Sequence, residues 1–220
     1  MTALALALGL GGLLLGLLAD RLAVRWPAHD PPFEAGRPPG WRTAVAIAFG
    51  AGSLGLLGQR FGLSLDLFVV GAYVCVLIVL LATDLDQRLL PDVLTLPLVV
   101  YTAVIGVLGL NPYVDAGLRG MLGPLVMAIA VPIAVYVPSI PFGPGAIALG
   151  DIKLLVSMGL LLGFPRELLG LFGAGVVVIV VLGSLLALRR IGRRTYVPFG
   201  PFLILAAVWA ILLPQGSGVL

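Results

Sequence analysis

The residues in this sequence that could carry chemistry are aspartates at the ends of apolar runs. Asp84, Asp86 and Asp92 lie where one run ends and the next begins, and Asp151 lies at the start of a later run. Ionisable side chains at membrane depth are costly, so they are candidates for function by default. Two carboxyl groups held together at low dielectric share one proton, and the ionised member can act as a base on water. We predict that Asp84 and Asp151 form such a pair.

The sequence contains few of the residues that other catalytic chemistries need. The chain has one histidine, His29, in a proline-rich segment, and one cysteine, Cys75, inside an apolar run. A zinc site, a disulfide or a Ser-His-Asp triad needs more of these residues than the chain holds. A phosphate-binding loop of the GxxxxGK[ST] type is also absent from the sequence. We therefore expect no metal, no cofactor and no nucleic-acid partner, and we expect Cys75 to be a small buried apolar residue.

The elements that must hold these aspartates are membrane-spanning helices. Apolar residues make up 60% of the 220 residues and charged residues only 10%, whereas soluble domains are about 25% charged. This composition excludes a soluble single-core enzyme, a disordered chain and a disulfide scaffold. We predict an all-α, polytopic bundle of about eight spans, or seven if the short sixth run or the proline-containing fourth run is re-entrant. The runs are 2–19, 43–59, 65–83, 91–110, 120–138, 151–164, 167–188 and 198–213.

The basic residues predict the orientation of these spans. If the N-terminus is outside, ten Arg and Lys residues fall in inside loops, and only Arg60, Arg119 and Arg166 fall outside. The positive-inside rule then places the four aspartates at the cytoplasmic face. We predict one integral membrane domain over 1–220, with N-terminal spans in 1–64, a short cytoplasmic loop at 20–42 and the site in helices of 65–213. The first run has no basic n-region, so we expect an uncleaved span rather than a signal peptide.

The same residues also have structural interpretations. Asp92 after Pro91 and Asp151 after Gly150 would serve as helix caps. A carboxylate at a helix C-terminus opposes the helix dipole, so capping does not explain Asp84. At the N-terminus of a helix the dipole favours the anion, so we expect Asp151 to be ionised and Asp84 to hold the shared proton. The Gly-x-x-x-Gly pairs Gly12/Gly16 and Gly159/Gly163 are typical of close helix packing.

Three segments resemble motifs of the type IV prepilin peptidase family. Residues 83–97, Thr-Asp-Leu-Asp-Gln-Arg-Leu-Leu-Pro-Asp-Val-Leu-Thr-Leu-Pro, are similar to the family's first aspartate motif. Residues 149–155, Leu-Gly-Asp-Ile-Lys-Leu-Leu, are similar to its Gly-x-Gly-Asp motif, which is shared in part with presenilin-type intramembrane aspartic proteases. Residues 197–201, Val-Pro-Phe-Gly-Pro, are similar to the start of its last helix. The motifs occur in the family's order and spacing, and the match covers roughly 66–213.

The resemblance implies an aspartic endopeptidase of the bacterial or archaeal cytoplasmic membrane. Its substrates would be prepilins or pseudopilins, whose basic leader is removed after a glycine at the cytoplasmic edge of an apolar helix. Asp84 and Asp151 match the catalytic positions. We expect Asp86 and Asp92 to place negative charge beside the entrance, where the basic leader would lie. The residues that match supporting or substrate-binding positions are Asp86, Asp92, Gly150, Lys153, Pro198 and Gly200.

Two departures from the family pattern affect what is expected. Position 148 is Ala, where the family usually has the first glycine of its second motif. The loop 20–42 has no cysteine, whereas many members carry two Cys-x-x-Cys pairs there, linked to N-methylation of the new N-terminus. The chain therefore resembles members without this methylation loop, and we expect cleavage without methylation.

Two other functions remain open at this point. A non-catalytic pilus or secretion assembly subunit of the same fold would fit Ala148 but not the presence of both aspartates. A small transporter that couples ions through intramembrane aspartate would place these residues near the bilayer midplane rather than at span ends. Membrane lipids are a further expected partner, and Arg21 or Arg25 could bind anionic lipid.

Overall fold

The described part of the chain is entirely helical. The computed structural model describes residues 2–27, 36–117, 119–143, 147–188 and 199–214. These residues form eight α-helices and one turn of 3₁₀-helix, Ile140–Phe142, without a strand. The all-α prediction is confirmed. The helices are α1 (Ala3–Ala23), α2 (Trp41–Phe61), α3 (Leu65–Gln87), α4 (Asp92–Val107), α5 (Leu122–Ser139), α6 (Leu149–Leu162), α7 (Arg166–Ala187) and α8 (Gly200–Leu212).

Helix length divides the bundle into long and short members. Among the described helices, α1, α2, α3 and α5 are long and apolar enough to cross a membrane. The apolar helices α4 and α8 have 16 and 13 residues, and α6 has 14 residues. At 1.5 Å per residue α6 is about 21 Å long, less than the roughly 30 Å of a bilayer core. The polytopic bundle is confirmed, although α4 and α8 are shorter than the runs 91–110 and 198–213.

Successive helices run in opposite directions, so the bundle has two ends. Arg42 at the start of α2 contacts Asp86 at the end of α3, and Lys153 near the start of α6 contacts Asp92 at the start of α4. At the other end, Arg166 at the start of α7 donates to the carbonyl of Ala210 near the end of α8. We call the end that holds Asp84, Asp86, Asp92 and Asp151 the aspartate face.

Helix α3 is the centre of the apolar core. It packs against α1, α2, α4 and α8, and several of its side chains, including Tyr73 and Leu77, are completely buried. The larger cluster of buried apolar residues in the described chain takes members from all eight helices. Cys75 packs against this cluster but is only half-buried, so the expectation of a buried thiol is met in part. The core thus fixes α3, which carries Asp84 at its end.

Glycine allows two helix pairs to approach closely. A Cβ atom on Gly12 would lie 2.0 Å from the carbonyl oxygen of Gly50 in α2, and one on Gly16 would lie 2.2 Å from that of Ala46. A Cβ atom on Gly159 would lie 2.5 Å from the backbone nitrogen of Ala128 in α5. Close packing is confirmed at these three glycines. Gly163 also faces α5, since a Cβ atom there would lie 3.4 Å from Pro124, but this is an ordinary contact distance. Its φ of +60° at the end of α6 is the stronger reason for glycine.

Candidate active site

Asp84 lies in the last turn of α3, just before a sharp reversal of the chain. Arg88 ends the helix in the left-handed conformation (φ 56°), and its N–H donates to the carbonyl of Asp84 at 2.9 Å. The chain reaches Pro91 without helical structure, and α4 begins at Asp92. This reversal keeps the whole first aspartate motif at one end of the bundle. The side chain of Asp84 is buried there, since only 4% of the residue is exposed.

Asp151 is the third residue of α6 and is also buried, with 6% exposed. The helix begins after Ala148, which has the extended conformation φ −73°, ψ 144° and no side-chain cap. Any L-residue adopts this conformation, so the missing glycine at position 148 causes no backbone strain. The backbone N–H of Ala148 interacts with the Asp151 carboxylate. Asp151 is therefore not the N-cap residue, but its side chain does serve the start of α6.

The structure brings Asp84 and Asp151 together. Their carboxyl groups are close enough for electrostatic repulsion, which is partly offset by the positive charge of Arg88. One oxygen of Asp84, Oδ2, is buried and has no hydrogen-bond partner among the described residues. A buried polar atom without a partner is costly, so the packing around Asp84 does not satisfy this oxygen. The arrangement can support acid–base chemistry, and the catalytic role of the pair stays a prediction.

Two of the predicted supporting residues are glycines that allow other segments to reach the pair. Gly200 begins α8, and a Cβ atom there would lie 2.8 Å from Cγ and from Oδ2 of Asp84. Gly150 precedes Asp151, and a Cβ atom there would lie 2.9 Å from the carbonyl oxygen of Leu90. Both positions therefore exclude a side chain. Pro198, a further predicted supporting residue, lies outside the described residues.

Asp86 does not face the entrance. The residue is 3% exposed, and its carboxylate accepts hydrogen bonds from Arg37 and, at 3.3 Å, from Arg42. Its charge is therefore already compensated by the protein. The expectation that Asp86 presents negative charge to a basic leader is wrong, because its position on α3 turns the side chain towards α2 and the loop before it. Asp86 can still support the site by fixing the end of α3.

Asp92 and Lys153 link the two aspartate motifs across the aspartate face. Lys153 Nζ donates to Asp92 Oδ1 at 2.5 Å, and the Asp92 side chain is 61% exposed. The N-cap of α4 is Pro91, so the prediction that Asp92 caps this helix is wrong: it is the first residue of the helix and pairs with Lys153 instead. Of the two carboxylates expected at the entrance, only Asp92 is accessible.

A buried ion network beside the pair was not found from the sequence. Arg37, in the loop between α1 and α2, donates to both Asp20 and Asp86. Asp20 is 1% exposed and also accepts from Arg21 and from Thr43 Oγ1 at 2.9 Å. Partial burial alone would lower the pKa of Arg37, but its bonds to the two carboxylates raise this pKa above the usual value.

The sequence indicates only one member of this network. Asp20 is an ionisable residue at the end of an apolar run, and such residues are functional candidates. Arg37 lies in a proline-rich segment without periodicity, so nothing in the sequence pairs it with Asp20 or Asp86. His29, expected to have no catalytic role, lies outside the described residues, as do the basic residues of 189–194.

Comparison with known proteins places this site in a family context. Residues 71–188, more than half of the chain, match the type IV leader peptidase family. This region contains Asp84, Asp151 and the Asp92–Lys153 pair. No solved structure matches the chain significantly.

The relatives are described as prepilin leader peptidase/N-methyltransferases. One from Aeromonas salmonicida is 34% identical over 139 residues, which cover 63% of this chain and 46% of the relative. One from Bacillus subtilis is 26% identical over 156 residues, 70% of this chain and 59% of the relative. One from Xanthomonas campestris is 31% identical over 153 residues, 69% of this chain and 52% of the relative. The chain spans about half the length of the curated relatives it matches.

Replacing Arg37 by Gln is expected to destabilise the fold. The substitution leaves the buried carboxylates of Asp20 and Asp86 without their shared cation, and breaking a buried ion pair costs about 3 kcal/mol or more. For a chain of this size that loss lowers the melting temperature by roughly 6–12 °C. Thermal unfolding of the purified protein in detergent measures the change. The control is Arg119→Gln, on the exposed loop between α4 and α5. Equal melting temperatures for the two variants would contradict a structural role for the network.

Proposed function

Because the chain belongs to the type IV leader peptidase family, we propose that it is an aspartic endopeptidase that removes the basic leader from type IV prepilins or prepilin-like proteins. The observation that carries this proposal is the burial of both Asp84 and Asp151 at one end of the bundle, close enough for electrostatic repulsion. The descriptions of the relatives as prepilin leader peptidases support the choice of substrate.

In the proposed mechanism one aspartate accepts a proton from water while the other is protonated. Asp151, at the N-terminus of α6, is the member expected to carry the negative charge. It takes the proton as the water oxygen attacks the scissile carbonyl carbon, and protonated Asp84 donates to the carbonyl oxygen. Collapse of the tetrahedral intermediate breaks the C–N bond, and a proton passes to the leaving amine. The reaction consumes one water and needs no group besides the two carboxyls.

The apolar helix of the substrate would lie in a groove between α3 and α4. This groove has a volume of about 310 Å³ and apolar walls. It begins at Leu94, two residues beyond Asp92, and continues along both helices, so a helix in it would leave its leader at the aspartate face. Asp92, which is paired with Lys153 but has a side chain that is 61% exposed, is a carboxylate that a basic leader could reach there. The lining residues are Ala72, Val76, Leu94, Pro97, Leu98 and Tyr101.

We propose that the aspartate face is cytoplasmic and that the membrane is the bacterial or archaeal cytoplasmic membrane. Six described basic residues lie at this face, against three at the opposite end, as the positive-inside rule requires for a cytoplasmic face. The six are Arg21, Arg25, Arg37, Arg42, Arg88 and Lys153. A basic leader that remains in the cytoplasm is then on the same side as the two aspartates.

The other candidate functions have less support. Ala148 has an extended backbone conformation that any L-residue adopts, so the missing glycine there gives no reason to expect an inactive assembly subunit. The aspartates lie at helix ends, whereas ion coupling in a transporter needs them near the middle of the bilayer.

Asp84→Asn and Asp151→Asn are each expected to reduce leader removal by about 10³-fold or more, because both carboxyls take part in proton transfer. The measurement is mass spectrometry of purified prepilins incubated with each variant in proteoliposomes. Asp115→Asn, at an exposed carboxylate of the opposite end, is the matched control and should cleave normally. Asp86→Asn should lose activity only in part. Robust cleavage by either dyad variant, or equal inactivation by Asp86→Asn, would mean that the pair is misassigned.

Gly200→Ala is expected to lower kcat while KM changes little. The new methyl group would overlap the carboxyl group of Asp84, and a displacement of about 1 Å at a reacting group costs roughly 10²-fold in rate. Steady-state cleavage of a prepilin measures both constants. Gly71→Ala, on the same helix as Asp84 but with open space around the added methyl, is the control. If both variants kept the same kcat, close approach of α8 would be irrelevant to the reaction.

We also propose that the protein cleaves without N-methylating the product. A methyltransferase needs a pocket for its methyl donor, and residues 20–42 are too few to bury a core and have no cysteine for a stabilising zinc site. Mass spectrometry of the mature product, after incubation with methyl donor, is expected to give the unmethylated mass. A gain of one methyl group with the purified protein alone would contradict this proposal and would leave the peptidase assignment intact.

A further inference from the structure

A larger cavity lies at the end of the bundle opposite the aspartate face. It has a volume of about 600 Å³ and lies between the ends of α2 and α8. The proposed peptidase reaction does not use it, since it lies at the far end of both helices from the site. Its walls are mainly apolar, with Arg60 and Gln59 as the polar exceptions. The lining residues are Leu56, Gln59, Arg60, Trp209, Leu212, Leu213 and Pro214.

Arg60 brings a positive charge to this cavity. Its guanidinium group lies 5.4 Å from the ring centre of Phe61, and the residue is half-buried. Its Nε atom is buried and has no hydrogen-bond partner in the described chain. The ion pairs among the described residues do not include Arg60. Among the described residues, Arg60 thus places a positive charge beside a mainly apolar cavity without forming an ion pair.

Arg166 adds a second positive charge beside Arg60, and the two repel each other. Arg166 donates to the carbonyls of Ala210 and Leu213, both at 2.8 Å, and lies 4.6 Å from the ring centre of Tyr113. Burial raises the pKa of Tyr113 to about 12, so this residue is neutral. Its hydroxyl interacts with the Arg60 side chain but supplies no negative charge. Asp66 lies near Tyr113 but forms no ion pair with either arginine among the described residues.

We propose that this cavity binds an anionic phospholipid, with the phosphate at Arg60 and Gln59 and an acyl chain along Leu56, Trp209 and Leu212. The ligand must be amphipathic, because the polar groups are confined to one part of a mainly apolar lining. It must carry net negative charge, because Arg60 lines the cavity and Arg166 adds positive charge near Arg60. An exposed tryptophan beside arginine is typical of the bilayer interface, where lipid headgroups lie.

Trp209 provides a direct probe of the occupant. In a Trp26→Phe/Trp41→Phe background it is the one remaining tryptophan of the chain. The protein is placed in phosphatidylcholine nanodiscs that contain a tenth of their lipid as bromine-labelled phosphatidylglycerol or as bromine-labelled phosphatidylcholine. Bromine quenches tryptophan at contact, so the two discs report which lipid lies at the cavity. We expect phosphatidylglycerol to be enriched about five-fold at Trp209, the preference that one lipid-facing arginine provides.

Three variants test whether Arg60 causes this preference. Arg60→Gln is expected to reduce quenching by phosphatidylglycerol to the level of phosphatidylcholine, whereas Arg60→Lys should keep most of the difference. Arg119→Gln, at another basic residue of the same end of the bundle, should behave as the parent does. Equal quenching by the two lipids in the parent protein would overturn the proposal without any need for a variant. A full preference in Arg60→Gln nanodiscs would also overturn it.

Discussion

Two carboxyl groups buried beside each other repel unless one is protonated, and the helices around Asp84 and Asp151 have to hold them together against this repulsion. The apolar core fixes α3, and the hydrogen bond between Tyr73 and Ser157 (3.1 Å) ties it to α6 in the middle of the bundle. Gly200 lets α8 close over Asp84, and Gly150 lets α6 pack on the turn before α4. The rigid packing of these helices thus maintains a pair that would not stay together through its own interactions.

The buried aspartates of this face differ in how their charge is compensated. Asp20 and Asp86 are each held by Arg37, with further donors from α1 and α2. Asp84, only two residues before Asp86, keeps an oxygen without a hydrogen-bond partner in the described chain. Asp84 and Asp86, on the same turn of α3, therefore have different roles. One carboxylate anchors the loop between α1 and α2, and the other remains available for a proton, a water or a substrate.

Patterns within short segments predicted the helical class, the packing of Gly12 and Gly16, and the meeting of Asp84 with Asp151. These properties depend on hydropathy, on small residues and on which end of a span a residue occupies, all of which can be read along the chain. The Arg37 network could not be predicted, since it joins three segments through side-chain directions that periodicity does not encode. The same limit explains the errors at Asp86 and Asp92, whose partners, Arg37 and Lys153, lie 49 and 61 residues away in the chain.

The shortness of α6 has a consequence for the supply of water. Hydrolysis consumes one water molecule per bond, and that water must reach carboxyls enclosed by apolar side chains. At about 21 Å, α6 is about 9 Å shorter than a hydrocarbon layer of ordinary thickness. The bilayer must then become thinner around this helix, or admit water there, to relieve the mismatch. Membrane thickness, which cells adjust through acyl-chain length, would in this way control how much water reaches the aspartate pair.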